Sequence, residues 1–265
     1  MAALCSDIFG FRLTAIVVLS AFSLCAKADI DLTLDTALRS YPLSGVLEAD
    51  VGYDYLLWGS ATPGAKDNSP WYGYVRPSAN SASSLTYNSL GAALDVYPLS
   101  FLGLRIGAEG IQDDSNYTGY DCSSYQCRGR FYRNYAQVQL SLGYAKVFFQ
   151  GRIRRERWSQ GQVSTEAFLE PTNGFALAPS GDAETVWRGL LGYKLDDNWM
   201  VAGLLIYAQA DSNHGISRCP LGVVGYTWKS LSVAAGVGVF ESPIRAQEGT
   251  GILIISWSAI PGLAL

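Results

Sequence analysis

Between Leu90 and Glu109 the side chains change character at every second residue, and this period of two constrains the fold more than any other feature of the chain. Leu90, Ala92, Leu94 and Val96 share one face, against Ser89, Gly91, Ala93 and Asp95 on the other. After a tight turn at Tyr97–Ser100 the pattern resumes, with Leu102, Leu104, Ile106 and Ala108 opposed by Gly103, Arg105, Gly107 and Glu109. Two antiparallel strands are expected, in a hairpin from Leu85 to Ile111 with one oily face and one face of glycine and charge.

The unit recurs in degraded form. Leu47, Ala49, Val51, Tyr53, Tyr55 and Leu57 alternate with Glu48, Asp50, Gly52 and Asp54, and Ala136, Val138, Leu140 and Leu142 with Tyr135, Gln137, Gln139 and Ser141. Similar runs start near Val147, Trp187, Met200, Leu221, Leu231 and Ile252. About ten strands of roughly nine to eleven residues result, the length that a tilted membrane strand needs. The connections alternate long and short, beginning with a long polar segment from Gly59 to Ser84. An outer-membrane barrel has long outer loops and short periplasmic turns, and an even strand number returns both termini to the periplasmic side.

Composition points the same way. Only 16% of the 265 residues are charged and 49% are hydrophobic, whereas about 25% charge is usual for a soluble domain. No apolar run reaches the roughly 20 residues of a membrane helix, so lipid contact requires a closed barrel. Glycines fall among the charged positions (Gly52, Gly103, Gly107, Gly192), aromatic residues gather at turn ends (Tyr97, Tyr144, Tyr193, Trp199, Trp228), and the oily faces carry no charge. Alternation does not itself say which face points inward. An exported soluble barrel with a greasy interior shares the pattern and would partition into water without detergent.

Residues 1–28 read as a secretory signal, with Arg12 before an apolar run from Leu13 to Ala26 and a small-x-small site at Ala26-Lys27-Ala28. Lipidation at Cys25 is disfavoured by the bulk of Leu24. A short leader then covers 29–44, as an initial strand or a segment packed at the barrel mouth, with an antiparallel up-and-down barrel at 45–258 and a tail at 259–265. Loss of Arg12, Lys27 and Asp7 leaves the chain acidic, which excludes nucleic acid as a partner. On these strands and connections the chain resembles small bacterial outer-membrane β-barrel proteins as a class. The resemblance implies an integral outer-membrane location, with outer-membrane lipids, lipopolysaccharide and the barrel-assembly machinery as partners. Such proteins often end on an aromatic residue; here Trp257 is followed by SAIPGLAL.

Export places Cys122 and Cys127 in an oxidising compartment, where their polar loop favours a local disulfide and leaves Cys219 odd. The spacings of the three thiols and His214 fit no standard metal site, and neither metal nor cofactor is expected. The inward face should carry a charge network of Glu48, Asp50, Asp54, Asp95, Arg105, Glu109, Arg133, Lys146, Arg152, Arg154 and Arg188, joined by Lys194 and Arg218. In a narrow bore these charges should pair and fill the lumen. If a water path survives, the basic excess favours small anions in a porin-like channel. Trp71, Tyr72, Tyr74 and Arg76 form an aromatic loop suited either to binding a protein partner at the outer loops or periplasmic rim, or to packing over the barrel mouth or among lipid headgroups. Arg152, Arg154, Arg155 and Arg157 could hold lipid phosphates. The reading adopted is a non-enzymatic structural or binding barrel, with the narrow channel as alternative. A third possibility is a lipid hydrolase at the outer rim, with His214 activating a nearby serine.

Overall fold

A computed structural model describes residues 28–62, 69–84, 86–114, 120–162 and 164–263. Apart from Ala28, the expected signal peptide lies outside the described residues, as does Leu85. Fourteen strands follow in chain order: β1 (Ala28–Ser40), β2 (Leu43–Trp58), β3 (Gly73–Ser83), β4 (Tyr87–Leu99), β5 (Leu102–Asp113), β6 (Gly129–Tyr144), β7 (Val147–Gln160), β8 (Phe168–Glu170), β9 (Phe175–Leu177), β10 (Asp182–Lys194), β11 (Trp199–Ala210), β12 (Ile216–Trp228), β13 (Leu231–Ser242) and β14 (Arg245–Ile260). Twelve of them pair antiparallel in an up-and-down ring that closes between β1 and β14, while β8 and β9 form a separate two-stranded hairpin. Closure leaves no edge of unpaired backbone groups, the condition for a sheet to cross lipid.

The outer wall is apolar. Ile106, Leu191 and Val237 are 59%, 60% and 73% exposed, and Leu90, Leu104, Leu205 and Val224 stand out beside them. Asp54, Asp95, Glu109, Glu156 and Glu184 are buried in the interior. An oily outside around a charged inside is a membrane-spanning barrel, and it overturns the soluble alternative. Tyr144, Tyr193, Trp199 and Trp228 lie exposed where strands meet the short turns, an interfacial girdle. Tyr97 departs from this set, because it turns into the lumen and stacks on Tyr74 at 4.3 Å.

The start of β1, the end of β14 and the short connections at 100–101, 145–146, 195–198 and 229–230 share one end, which is therefore periplasmic. Residues 114–128 and 161–181 form the long outer loops. The ring holds two strands beyond the ten or so expected. Residues 29–44, read as a leader, make β1 and the turn into β2. The segment 59–84, read as one outer loop, contains β3, so its loop portion 59–72 lies on the periplasmic side. β3 escapes a periodicity search because Ala79, Ser81 and Ser83 on its outward side are small. Its Pro77 also lacks an N–H, and the ladder with β2 skips that position between Gly52–Ser78 and Tyr55–Val75.

A second feature was not legible in advance. From β1 to β7 and on β10 most inward positions below the outer mouth are polar, but β11 to β14 turn Leu204, Ile206, Leu221, Val223, Phe240 and Ile252 inward. The lumen thus has a charged wall and an oily one.

Candidate functional site in the lumen

Near the periplasmic end a single guanidinium gathers four carboxylates. Arg76 on β3 reaches Asp31 of β1 (Nε to Oδ2, 2.7 Å), Asp50 of β2 and Asp95 of β4 (3.5 Å), with Asp54 at 3.9 Å. Arg105 on β5 joins Asp50 at 3.2 Å and Asp95 at 3.8 Å. Neighbouring glycines make room for these long side chains: a Cβ at Gly52 would overlap the Arg76 guanidinium, and one at Gly107 the Tyr135 ring. Above this group, Arg133 and Arg154 share Glu109 and Glu156. Arg133 reaches Glu156 at 3.2 Å and also bonds Glu109, and Arg154 lies 3.1 Å from Glu156 and 3.7 Å from Glu109. Arg154 also covers the Tyr135 ring at 3.7 Å. Most of these pairs join adjacent or next-adjacent strands, and Arg105–Asp50 spans from β5 to β2, so they brace the charged wall.

Two further pairs of lumen charges stand outside both groups. Arg152 on β7 and Arg188 on β10 are directly opposite in the ladder and half-buried, and among the described residues neither has an ion pair or a hydrogen bond. The leading electrostatic influence on Arg152 is Arg188 itself. Asp35 on β1 and Glu48 on β2 are likewise opposite each other and likewise unpaired among the described residues. The β1–β2 seam lies diametrically across the ring from the β7–β10 seam. Two cations therefore confront two anions across the bore.

Both mouths are closed. At the periplasmic end Tyr72, Tyr74 and Tyr97 stack, and the chain beyond β14 folds back beneath them. The Leu263 amide donates to Asp54 at 2.5 Å, and the Tyr72 hydroxyl donates to the Leu263 carbonyl at 2.5 Å. At the outer end the β8–β9 hairpin sits inside the barrel. Its Phe168, Phe175 and Leu177 pack against Ile111, Phe131, Trp158, Val186 and Ala208 from the surrounding strands. Glu170 caps the hairpin turn by accepting the amides of Thr172 (2.8 Å) and Asn173 (2.7 Å). Arg39 donates to the Thr172 carbonyl at 2.9 Å and ties the hairpin to β1. Cys122 and Cys127 are joined by a disulfide, and the loop they close bonds β8 through Gln126, whose amide donates to Ala167 and whose carbonyl accepts from Leu169. Cys219 is a buried free thiol on the oily wall.

Several expected site residues lie elsewhere. Lys146 is not in the lumen: it sits exposed in the β6–β7 turn with its ammonium donating to the Leu195 carbonyl at 3.1 Å. Lys194 is exposed beside it, and Arg218 faces outward opposite Glu241. The aromatic binding loop is also corrected. Trp71 is exposed at the periplasmic end, but Tyr72 and Tyr74 are fully buried and Arg76 is the hub of the carboxylate group. An aromatic, polar segment looks the same in sequence whether it caps a bore or faces solvent. His214 projects from the outer loop at 211–215, bonding neither serine nearby. The Ser212 hydroxyl donates to Asp182 and the Ser217 hydroxyl to the Glu241 carbonyl, so no His–Ser pair is assembled.

A closed antiparallel barrel with an apolar outer wall and ionised interior defines a bacterial outer-membrane β-barrel protein. No protein-family model and no curated protein sequence matches the chain. Among solved structures it is similar to a KdgM porin in complex with disordered oligogalacturonate, at 9% identity and a TM-score of 0.43 over 86% of this chain and 98% of that one. It is similar also to a NanC porin, at 10% identity and 0.42 over 86% and 98%. OmpT of Vibrio cholerae matches at 10% and 0.43 over 89% and 99%. Likeness at this level carries no functional assignment.

Proposed function

We propose that this barrel is a narrow passage for small acidic solutes that rests closed. The observation that carries the reading is the Arg152–Arg188 pair. Two half-buried cations side by side repel each other and give up part of their hydration unless a counter-charge meets them. Arg76 and Arg133 are met by carboxylates, and Arg152 and Arg188 are not. A carboxylate or phosphate passing between the walls supplies the missing acceptor, since a guanidinium binds either in bidentate fashion. Asp35 and Glu48 opposite set a transverse field that orients the solute and repels it from the far wall.

A second reading is a permanently filled barrel with a structural or binding role, and the hydrogen-bonded closures at both mouths favour it. Hydrolysis at the rim has no geometric support, and His214→Ala is expected to leave lipid-ester cleavage in membranes carrying the protein unchanged. The two readings of the lumen separate in planar bilayers with a variant freed of both closures, residues 164–178 replaced by a short Gly-Ser linker and the chain ended after Ile260. The passage reading predicts discrete steps with anion preference, reduced when Arg152→Gln and Arg188→Gln are added. A folded, opened barrel that stays silent favours the filled barrel, and one that passes cations as readily as anions contradicts the role given to the arginine pair.

A further inference from the structure

We propose that the outer wall across β4 to β7 is a binding site for a phosphorylated, acylated glycolipid of the outer leaflet. Two in-register rows define it. Ala92, Ala108, Asn134 and Arg157 face each other across four strands, and Leu94, Ile106, Ala136 and Arg155 form the adjacent row. Because Ala92, Ala108 and Ala136 are small, the wall is recessed there into a shallow cleft that Leu94 and Ile106 border and both arginines line. A second recess, at Gly189, Gly203 and Gly222 on β10 to β12, is lined by no arginine.

The two arginines sit where a lipid phosphate would be. Arg157 is the eleventh residue of β7, counted from its periplasmic start. At about 2.5 Å of height per tilted residue this puts it roughly 25 Å up the wall, the top of the apolar band. Arg155 bonds Asp211 and the Thr185 hydroxyl, and Arg130, further out on β6, bonds Gln112. Arg157 is exposed and, among the described residues, has no partner. An arginine facing lipid at the boundary is tolerated where its guanidinium meets a headgroup. Here the free guanidinium stands at one end of an apolar recess, so the site would place phosphate on Arg157 and an acyl chain along Ala108 and Ala92.

The test is native mass spectrometry of the barrel extracted in mild detergent and mixed with diphosphorylated lipid A or with phosphatidylethanolamine. The site predicts lipid A retained in preference to phosphatidylethanolamine, with retention falling about tenfold in Arg157→Gln, the loss of one charge-assisted contact. Ala108→Trp, which fills the recess and leaves the charge, should lower retention as well. Heat-shifted gel mobility checks that each variant is folded. Retention unchanged by either substitution overturns the proposal, as does equal retention of phosphatidylethanolamine by the unaltered protein.

Discussion

Arg76 illustrates how a membrane barrel uses charge at the scale of one side chain. It contacts Asp31, Asp50, Asp54 and Asp95 together, with help from Arg105, and most of these side chains are largely buried. Removing one partner of a buried ion group leaves uncompensated charge behind, a loss of about 3–5 kcal/mol. Arg76→Met is therefore expected to shift urea unfolding of the barrel in lipid vesicles by that amount, and adding Asp31→Asn and Asp50→Asn should recover part of it. A loss under about 1 kcal/mol, the level of surface ion pairs, would show that water fills this end of the lumen. The Arg155–Asp211 contact at the outer rim is of the weaker kind, since both side chains are about half exposed. Arg155 holds the Asp211 carboxyl below the usual carboxylate range. A depressed pKa stabilises the fold above the ordinary value near 4 and ceases to do so as pH falls through the depressed one. Asp211→Asn should thus lower the thermal midpoint slightly at pH 7 and not at all at pH 2, and an equal shift at both would exclude the charge as its origin.

Among the elements, legibility followed the outward face. β4 and β5 alternate leucine and isoleucine with glycine and charge, and the sequence places them to within a residue or two. β3 turns small and polar side chains outward, and the hairpin strands β8 and β9 have only three residues each, too few for a period to register. The inward faces of β11 to β14 were hidden for the opposite reason, because both of their faces are apolar and alternation vanishes. Ile106 tests the orientation at this scale: it points to lipid near the middle of β5, so Ile106→Arg should destabilise the barrel by about 2–4 kcal/mol, and a change under about 0.5 kcal/mol would place that face in water. The outer closure makes a separate prediction. Its β8 strand is bonded to the loop clamped by Cys122–Cys127, so reduction should speed protease cleavage within 161–181 while the heat-shifted mobility of the barrel persists. Cleavage at the same rate with the disulfide intact or reduced would mean that packing of Phe168 and Phe175 alone holds the hairpin.

For the whole molecule, the readable part was the boundary with lipid and the unreadable part was the contents of the bore. The identities of most lumen charges followed from their place opposite the oily positions, but their partners did not. Pairing depends on which strands are neighbours, and closure through β1 and β3 brings Asp31 and Arg76 into the centre. Nor could alternation show that Arg152 and Arg188 lie half a turn of the ring from Asp35 and Glu48, since that arrangement depends on the strand count. The two closures come from Leu263 and the β8–β9 hairpin, segments with no periodic signal. The most direct test of a lumen sealed at rest is single-channel recording of the unmodified mature chain in a planar bilayer, with heat-shifted mobility showing it folded. A silent, folded barrel is the expected result, and discrete conductance steps without any alteration of the chain would contradict it.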